Sequence, residues 1–386
     1  MKRRNIKILI INYEFPPLGG GGGVATYDLA LEWAKQGQVD VLTSSYKGLE
    51  SFEKVGDINV HRVRILFRKS RDAASFVSML TYLPAAFFKG ISLIRKNRYD
   101  VINTHFAVPS GPVGFVLGKM FGIPNVLSLH GGDIYDPSKK MSPHRSFFFS
   151  RVVRFVLNHA DRIVAQSSNT RDNTIKYYSP RKPVEIIPLA FHAPADPKTT
   201  RKAMGIAANE FMLITIGRLI KRKALDVLIE AVAGVRDKKV RLYIMGDGPE
   251  REFLEQKARE CGAADRVVFL GYVSDEDKFK YISIADLFTL TSLHEGFGIV
   301  FMESMYFGLP VVSTNNGGQV DFLKHGDNAL LINVGDVKAC TAAIERFAGD
   351  RKLYSRCSKN NREAIKKFYA DAVADKYIEI FRDIVV

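Results

Sequence analysis

The stretch from His294 to Glu303 sets two carboxylates on either side of a glycine turn, with seven residues between them. An apolar strand over 286–291 is predicted to lead into the turn, where Gly296 and Gly298 let backbone N–H groups approach a ligand. A helix then begins, and its first N–H groups and positive dipole end suit an anion. Carboxylates accept hydrogen bonds from vicinal hydroxyls, so the pattern indicates a nucleotide-sugar site. A plain turn flanked by two solvated glutamates would show the same two residues.

A second cluster of cations stands where another predicted strand turns into a helix. Arg218 and Lys223 precede the helical pattern over 224–232. Cations at such a turn neutralise a diphosphate together with the helix N-terminus, and they stabilise a departing diphosphate without a metal. No metal-binding motif is identified, so neither a metal nor another cofactor is expected. Lys221 and Arg222 are interpreted as solvated charges outside the site.

A run of five glycines, Gly19 to Gly23, separates a predicted strand over 6–12 from a predicted helix over 24–36. Glycines at a strand end allow the backbone to approach a phosphate or a sugar. The run fits a dinucleotide fingerprint loosely, but the next strand ends in Thr43-Ser44 without the acidic residue that would hold a ribose. This weakens a dehydrogenase interpretation.

Short β-rich runs alternate with helical patterns along both halves of the chain. Besides 6–12 and 39–43, strands are predicted over 59–65, 100–104, 125–130, 162–166, 184–187, 211–217, 240–245, 266–270, 286–290, 310–313 and 329–333. This rhythm is typical of doubly wound parallel sheets. In such sheets ligands gather at the carboxyl ends of strands, where His105 and His130 are expected.

The chain is long enough for two domains, since 386 residues exceed one usual core. Several prolines between Pro188 and Thr200 break the periodicity and mark the boundary. We therefore predict a first domain over 1–190 and a second over 195–370. A final helix over 371–386 is predicted to pack back on the first domain.

The net charge of +15 is concentrated in the first domain. Residues 1–195 carry 27 Lys and Arg against 14 Asp and Glu, and the remainder is nearly balanced. Basic residues interleave with aromatic residues over 62–98 and again from Lys139 to Arg154. The pattern favours contact with an anionic membrane surface, although core aromatics beneath a solvated basic face would produce it too. No segment resembles a nucleic-acid-binding module.

Three cysteines, odd in number and far apart, fit neither a disulfide framework nor a zinc site, which favours a reducing cytoplasm. No signal peptide is expected after the start Met1-Lys-Arg-Arg. The uncharged runs 73–88 and 101–118 are interrupted by Pro, Ser and Gly, so no membrane-spanning helix is expected.

Together these motifs resemble the signature of the family 4 retaining glycosyltransferases, which have the two-domain GT-B fold. The matching segments are Glu295-Gly-Phe-Gly before Glu303, Gly217-Arg-Leu before Lys223, and His130-Gly-Gly-Asp133. The chain departs from the family at Ala224, where a glycine is usual, and in its linker Pro188-Leu-Ala-Phe-His.

The resemblance implies two Rossmann-like domains facing a central cleft and a role for each matching residue. Arg218 and Lys223 would bind the donor diphosphate, and Glu303 the ribose hydroxyls. Glu295 and His130 would contact the transferred sugar as the catalytic pair. Further donor contacts are implied for Gly20, Gly21, Phe297, Gly298 and Ile299, and contacts near the nucleobase for Gly271, Tyr272 and Val273.

The implied activity is retaining transfer of a hexosyl group from a UDP- or GDP-sugar to a lipid-linked or polysaccharide acceptor. Such an enzyme would work in cell-envelope glycan or glycolipid synthesis, attached peripherally to the inner face of the membrane. The family has no settled enzyme nucleophile, and Asp133 receives no catalytic role. The alternatives are a sugar-nucleotide epimerase or phosphorylase on the same fold, and a non-enzymatic polyanion-binding protein; nucleic acid is not an expected partner.

Overall fold

Runs of aliphatic and β-branched residues build a parallel sheet in each of two units of the chain. The computed structural model describes residues 5–68, 70–71, 75–138 and 141–385. The first unit comprises the described residues up to His192 and those from Phe368 onward; the second is Ala193–Lys367. The prediction of two doubly wound α/β units is confirmed, and the expected boundaries at 190, 195 and 370 lie within three residues of these.

The first unit is built on one mixed sheet. Its strands among the described residues are β1 (Ile8–Asn12), β2 (Val39–Ser44), β3 (Phe52–Val55), β4 (Ile58–Val63), β5 (Val101–His105), β6 (Asn125–Leu129), β7 (Arg162–Ala165) and β8 (Val184–Ile186). They lie in the order β3-β4-β2-β1-β5-β6-β7-β8. Every neighbouring pair is parallel except β3 with β4, which form an antiparallel hairpin through Gly56 and Asp57. The edge strand β3 is absent from the sequence prediction because its four residues are too few to show a period.

Helices cover both faces of this sheet. They are α1 (Gly21–Ala34), α2 (Phe76–Asn97), α3 (Ser110–Phe121), α4 (Phe147–His159) and α5 (Ser168–Tyr178). Successive strand residues point to opposite faces. In β1, Ile10 therefore packs with Trp33 on one face, and Ile11 packs with Tyr82 on the other.

The glycine-rich segment differs from its prediction as a loop before a helix at Val24. Residues 21–23 form the first turn of α1, with Gly20 as the N-cap. Close packing explains the glycine at position 22, because a Cβ there would lie only 2.8 Å from the ring of Phe106. The start of α1 thus presses against the loop that follows β5.

The second unit carries a six-stranded parallel sheet. Its strands are β9 (Phe211–Ile216), β10 (Val240–Met245), β11 (Val267–Gly271), β12 (Leu287–Leu290), β13 (Val311–Thr314) and β14 (Ala329–Ile332), in the order β11-β10-β9-β12-β13-β14. Its helices are α6 (Leu225–Gly234), α7 (Arg251–Glu260), α8 (Asp275–Ile284), α9 (Ile299–Tyr306), α10 (Val337–Gly349) and α11 (Arg351–Ala364).

The last helix, α12 (Ala370–Ile384), returns to the first unit and packs on α1. The indole Nε1 of Trp33 donates a hydrogen bond of 3.3 Å to the carbonyl of Ala374. The same indole meets Tyr377 and Phe381 edge to face, with ring centroids 5.5 and 5.3 Å away. Apolar burial on the face of α12 therefore holds the chain terminus to this unit.

The helix α2 is apolar on both of its faces. Tyr82 and Ala86 are fully buried against the sheet, whereas Leu80 and Phe88 point outward and are 45% and 68% exposed. In length and composition α2 could cross a membrane, which corrects the expectation that the run over 73–88 is too interrupted. In the folded unit, however, its inner face belongs to the core.

We expect Phe381→Ala to destabilise the first unit by about 3–5 kcal/mol, because it empties a fully buried site. Phe88→Ala, the same substitution at an exposed position, should change stability by less than about 0.5 kcal/mol. Urea unfolding followed through Trp33, the only tryptophan of the chain, measures this unit selectively. Equal losses in the two variants would show that α12 does not contribute to the core.

Candidate functional site

In the second unit a buried carboxylate, Glu295, lies between two cations. It belongs to the turn between β12 and α9, and the cations come from the turn between β9 and α6. The Nζ of Lys223 lies 2.8 Å from its Oε1, and the Nη1 of Arg222 lies 3.3 Å from its Oε2. Burial alone would raise the pKa of Glu295, but Lys223 and Arg222 outweigh it and lower that pKa to about 2. Glu295 is therefore ionised at neutral pH.

The backbone around this ion cluster is fixed by close contacts. The Ser292 hydroxyl donates a 2.6 Å hydrogen bond to Glu295 Oε1, and the Gly318 N–H donates one of 2.8 Å to the Glu295 carbonyl. A Cβ on Gly317 would lie 2.3 Å from that carbonyl oxygen, so only glycine fits there. Ala224 has φ +44°, a left-handed conformation that glycine adopts more easily. The departure from the family at Ala224 thus changes the residue while keeping a glycine-like backbone.

Arg222 was interpreted as a solvated charge, and that interpretation is wrong. Besides its contact with Glu295, its guanidinium donates a 2.7 Å hydrogen bond to the carbonyl of His294. The side chain therefore ties the two turns together. Lys221 and Arg218 are exposed, and Arg218 makes no hydrogen bond or ion pair within the described parts of the chain.

The second carboxylate, Glu303, is buried one turn into α9. Its Oε1 accepts a 2.7 Å hydrogen bond from the Nζ of Lys278 on α8. Its Oε2 is buried and has no hydrogen-bond partner among the described residues. Burial raises the pKa of Glu303, and Lys278 opposes this shift without cancelling it. For Lys278, burial would lower the pKa, but attraction to Glu303 outweighs it, so the lysine stays charged.

One triplet, Asp275-Glu276-Asp277, does have the Asp-x-Asp spacing of a metal motif, which the sequence interpretation overlooked. In the structure these residues form the first turn of α8, where Asp275 pairs with Lys278, and Glu276 and Asp277 pair with Lys280. No group of three or more potential metal ligands occurs within the described ranges.

The remaining predicted donor contacts of this unit fall at strand ends and at a helix start. Gly298, with φ +91°, is the N-cap of α9, and Ile299 is the first helical residue. Phe297 is buried against Phe322 with ring centroids 5.0 Å apart, so only its backbone could contact a ligand. Gly271 ends β11. The two residues after it differ, since Tyr272 is largely exposed and Val273 is half-buried.

In the first unit two histidines at neighbouring strand ends meet. His105 closes β5 and His130 follows β6, and their Nδ1 and Nε2 atoms are 2.9 Å apart. The Nε2 of His105 lies 2.7 Å from Oδ1 of Asn103. Phe106 stacks on the His130 ring at a centroid distance of 4.3 Å. Burial lowers the pKa of His130 to about 3, and burial followed by repulsion from His130 depresses that of His105.

The hydrogen-bond pattern indicates one tautomer of His130. The amide nitrogen of Asn103 donates to the Val126 carbonyl, so the amide oxygen is the atom that faces His105 and accepts from its Nε2–H. Neutral His105 then offers Nδ1 as an acceptor, which the Thr26 hydroxyl faces at 3.0 Å and to which His130 donates from Nε2 at 2.9 Å. The other nitrogen of His130, Nδ1, is therefore a buried lone pair without a partner among the described residues. It faces Gly22, whose Cβ position lies 3.1 Å away.

The other residues of this unit that the motifs include make hydrogen bonds with backbone N–H groups or begin a helix. The N–H of Gly20 donates to the carboxylate of Glu14 at 3.3 Å, and Gly21 begins α1. Asp133 accepts from the N–H groups of Ala107 and His130 at 2.7 and 3.0 Å. Burial raises its pKa to about 6, and its contacts fasten two loops.

The side chains that sequence reasoning missed are Arg222, Lys278, Ser292 and Asn103. Lys278 sits in a helix of alternating charges, which is typical of a solvated face, and nothing in the sequence separates it from Lys280. Asn103 could have been found, because it stands two residues before His105 and so shares its face of β5.

Comparison with known proteins shows two family matches. The model described as Glycosyl transferases group 1 matches residues 196–364, and that described as Glycosyltransferase Family 4 matches residues 19–192. The first range holds the Glu295 and Glu303 clusters, and the second holds the His130 cluster. The resemblance inferred from the motifs is confirmed.

Three similar proteins illustrate the range of relatives. An N-acetyl-alpha-D-glucosaminyl L-malate synthase of Bacillus anthracis is 26% identical, over 96% of this chain and 95% of its own. A lipopolysaccharide core biosynthesis glycosyltransferase of Rhizobium meliloti is 34% identical, over 47% of this chain and 52% of its own. A crystal structure of Anabaena HepE in complex with UDP-glucose has a TM-score of 0.80 at 23% identity, covering 98% and 100% of the two chains.

We expect His130 to stay neutral with the proton on Nε2 from neutral pH down to about pH 5, well above its pKa of about 3. In the unfolded chain, His130 binds a proton near the ordinary histidine pKa, whereas in the folded protein it stays neutral until about pH 3. His130 therefore contributes most to folding stability above the ordinary histidine pKa, and this contribution is lost as the pH falls toward 3. Nitrogen-15 NMR of histidine-labelled protein reports both the charge and the tautomer.

Removing the Asn103 side-chain amide tests whether it sets the tautomer of His130. Asn103→Ala should abolish the Nε2–H preference of His130, whereas Asn97→Ala, at the end of α2, should leave it unchanged. An unchanged His130 spectrum in the Asn103 variant would contradict the proposed hydrogen-bond order.

Proposed function

Because the chain belongs to the family 4, group 1 glycosyltransferases, and is a hexosyltransferase with the GT-B fold, we propose that it transfers a hexosyl group from a UDP- or GDP-sugar with retention. The proposed acceptor is a lipid-linked sugar or a growing polysaccharide. The single observation that carries the donor assignment is that Oε2 of buried Glu303 has no hydrogen-bond partner in the described part of the chain.

The Oε2 of Glu303 is an acceptor that a ribose hydroxyl would satisfy. A buried carboxylate oxygen without a hydrogen-bond partner costs free energy, so a donor group at that point would recover it. Lys278 holds the other oxygen and keeps the carboxylate oriented. The bound UDP-glucose in the similar HepE structure supports a nucleoside diphosphate sugar as the ligand.

The cations beside Glu295 suit the diphosphate. Arg218, Arg222 and Lys223 outnumber the single carboxylate among them, so this turn carries a positive surplus. The leaving nucleoside diphosphate gains negative charge during transfer, and fixed cations stabilise that charge more than the ground state. We propose that Lys223 and Arg218 supply this stabilisation without a metal or another cofactor.

His130 is proposed to contact the transferred sugar through a hydroxyl. Its free Nδ1 is a lone pair in the neutral tautomer, which accepts a hydrogen bond from a hydroxyl and repels a phosphate oxygen. Glu295 is proposed as the second residue at the sugar, since an ionised carboxylate accepts from hydroxyls as well. Gly20 and Gly21, with the backbone of 297–299, complete the proposed donor contacts, and 271–273 lie at the proposed base position.

The proposed setting is cell-envelope glycan or glycolipid synthesis at the inner face of the membrane. The lipopolysaccharide core relative supports a lipid-linked or polysaccharide acceptor. Free cysteines at 261, 340 and 357 suit a reducing compartment. The family matches favour transfer over epimerase activity and leave the non-enzymatic alternative without support.

We expect either UDP or GDP, with its sugar conjugates, to raise the melting temperature of the protein, and the shift to persist in EDTA. A ligand at a hundredfold excess over its Kd adds about 2.7 kcal/mol of stability, which is a shift of several degrees. A shift that vanishes in EDTA would contradict the metal-free mechanism. No shift with any nucleotide sugar, in folded protein, would overturn the donor assignment.

Lys278→Met should weaken binding of that nucleotide by about tenfold or more, because a buried Glu303 without its cation protonates and loses an acceptor. Lys280→Met is the matched control: it stands on the same helix, and its partners Glu276 and Asp277 are exposed. Isothermal titration calorimetry measures both. Equal affinities in the two variants would remove Glu303 from the nucleotide site.

A further inference from the structure

We propose that the outer face of α2 and α4 docks on an anionic lipid bilayer, with a hydrocarbon chain in the groove between the two helices. This α2–α4 groove has a volume of about 540 Å³ and is lined by side chains that include Phe76, Leu80, Leu83, Val108 and Phe148. It lies wholly within the first unit.

The walls of the groove suit a hydrocarbon and no polar ligand. Among the described residues that line it, Arg151 is the one that carries a charge. A sugar or a nucleotide seated there would leave buried hydroxyls and phosphates unsatisfied, which costs about 1–3 kcal/mol for each polar group. A lipid chain has no hydrogen bonds to lose and recovers the apolar area that the groove exposes to water.

The exposed side chains of α4 beside the groove are aromatic and basic. On α4, Phe147 and Phe148 are 74% and 64% exposed, and Arg151 and Phe155 follow on the same outward face. The guanidinium of Arg151 lies 4.3 Å from the ring centroid of Phe147. Aromatic rings beside arginines are typical of a helix that lies in the membrane interface, with rings among the chains and cations at the headgroups.

The charges carried by the helices that surround the groove are of one sign. Helices α2, α3 and α4 carry no Asp or Glu, and their six basic residues are Lys89, Arg95, Lys96, Lys119, Arg151 and Arg154. Each cation near an anionic bilayer contributes about 1 kcal/mol. Charge complementarity therefore selects an anionic lipid surface as the occupant. Lys139 and Lys140, which precede α4 in sequence, lie outside the described residues.

The groove also shares a loop with the His130 cluster. Phe106 stacks on His130, and Val108, two residues further on, lines the groove. A lipid-linked acceptor would need its chain held near the sugar site, and this loop connects the two places. This last step rests on the proposed function, whereas docking on the bilayer does not.

Co-sedimentation of the full chain with vesicles tests the proposal. We expect binding to phosphatidylcholine vesicles that contain phosphatidylglycerol and little binding to phosphatidylcholine alone. The double variant Phe147→Ser with Phe148→Ser should bind at least about tenfold more weakly, because two rings no longer enter the bilayer. Phe253→Ser, at a half-exposed phenylalanine of α7 in the second unit, is the matched control and should bind as the wild type does.

Several outcomes would overturn the proposal. The first two are a wild type that does not bind anionic vesicles and a double variant that binds them as well as the wild type. The third is self-association of the wild type that the double variant abolishes, because a second copy of the chain would then cover the outer face of α2 and α4. Nucleotide-induced stabilisation, measured on the same double variant, separates the two claims. If the double variant keeps this stabilisation but no longer binds vesicles, both the nucleotide site and membrane docking are supported. If the wild type shows the stabilisation but does not bind vesicles, only the docking proposal is wrong.

Discussion

Burying two carboxylates in the segment that follows β12 is the constraint on which the second unit depends. An ionised carboxylate removed from water costs several kcal/mol unless cations and hydrogen bonds replace its hydration. Glu295 meets this cost with Lys223 and Arg222, which makes it a fixed anion and ties the turn after β9 to the turn after β12. Glu303 is paired with the single cation Lys278 within the described ranges, so burial raises its pKa, and its Oε2 has no hydrogen-bond partner there. Two carboxylates of one segment thus acquire different properties from the cations that their neighbours supply.

The first unit also buries titratable side chains, but it buries them in their neutral form. Its two buried imidazoles remain neutral because burial disfavours the cation, and the amide of Asn103 orients one ring and thereby the other. A neutral lone pair suits a hydroxyl, whereas the cations of the second unit suit a phosphate. The fold therefore offers two kinds of polar environment near strand ends, one charged and one neutral.

Local sequence signals predicted the regular elements well and the partners of the site residues poorly. Apart from β3, the predicted strand ends lie within two residues of the observed ones. Strands that are buried on both faces consist of continuous apolar runs, which are easily recognised in the sequence. Glu295 stands beside Gly296, and Glu303 and Lys223 follow the glycine-containing turns at Gly298 and Gly217, so they too could be found. Lys278 and Arg222 could not, since a lysine or arginine among charges appears the same in sequence whether it is solvated or faces a buried carboxylate. The start of α1 was misjudged for another reason: tertiary packing against Phe106 outweighs the low helix propensity of glycine.

The composition of α2 makes sense only when both of its faces are considered. One face needs apolar residues to cover the sheet, and a helix serving that purpose alone would place polar residues on the other. Phe88 and Leu80 are instead exposed, and the cations of α2 gather near its C-terminal end. Exposed aromatic area lowers solubility and adds nothing to the stability of an isolated domain. The composition of α2 therefore suits two contacts. Its inner face packs on the sheet of the first unit, and its outer face suits the proposed anionic lipid bilayer.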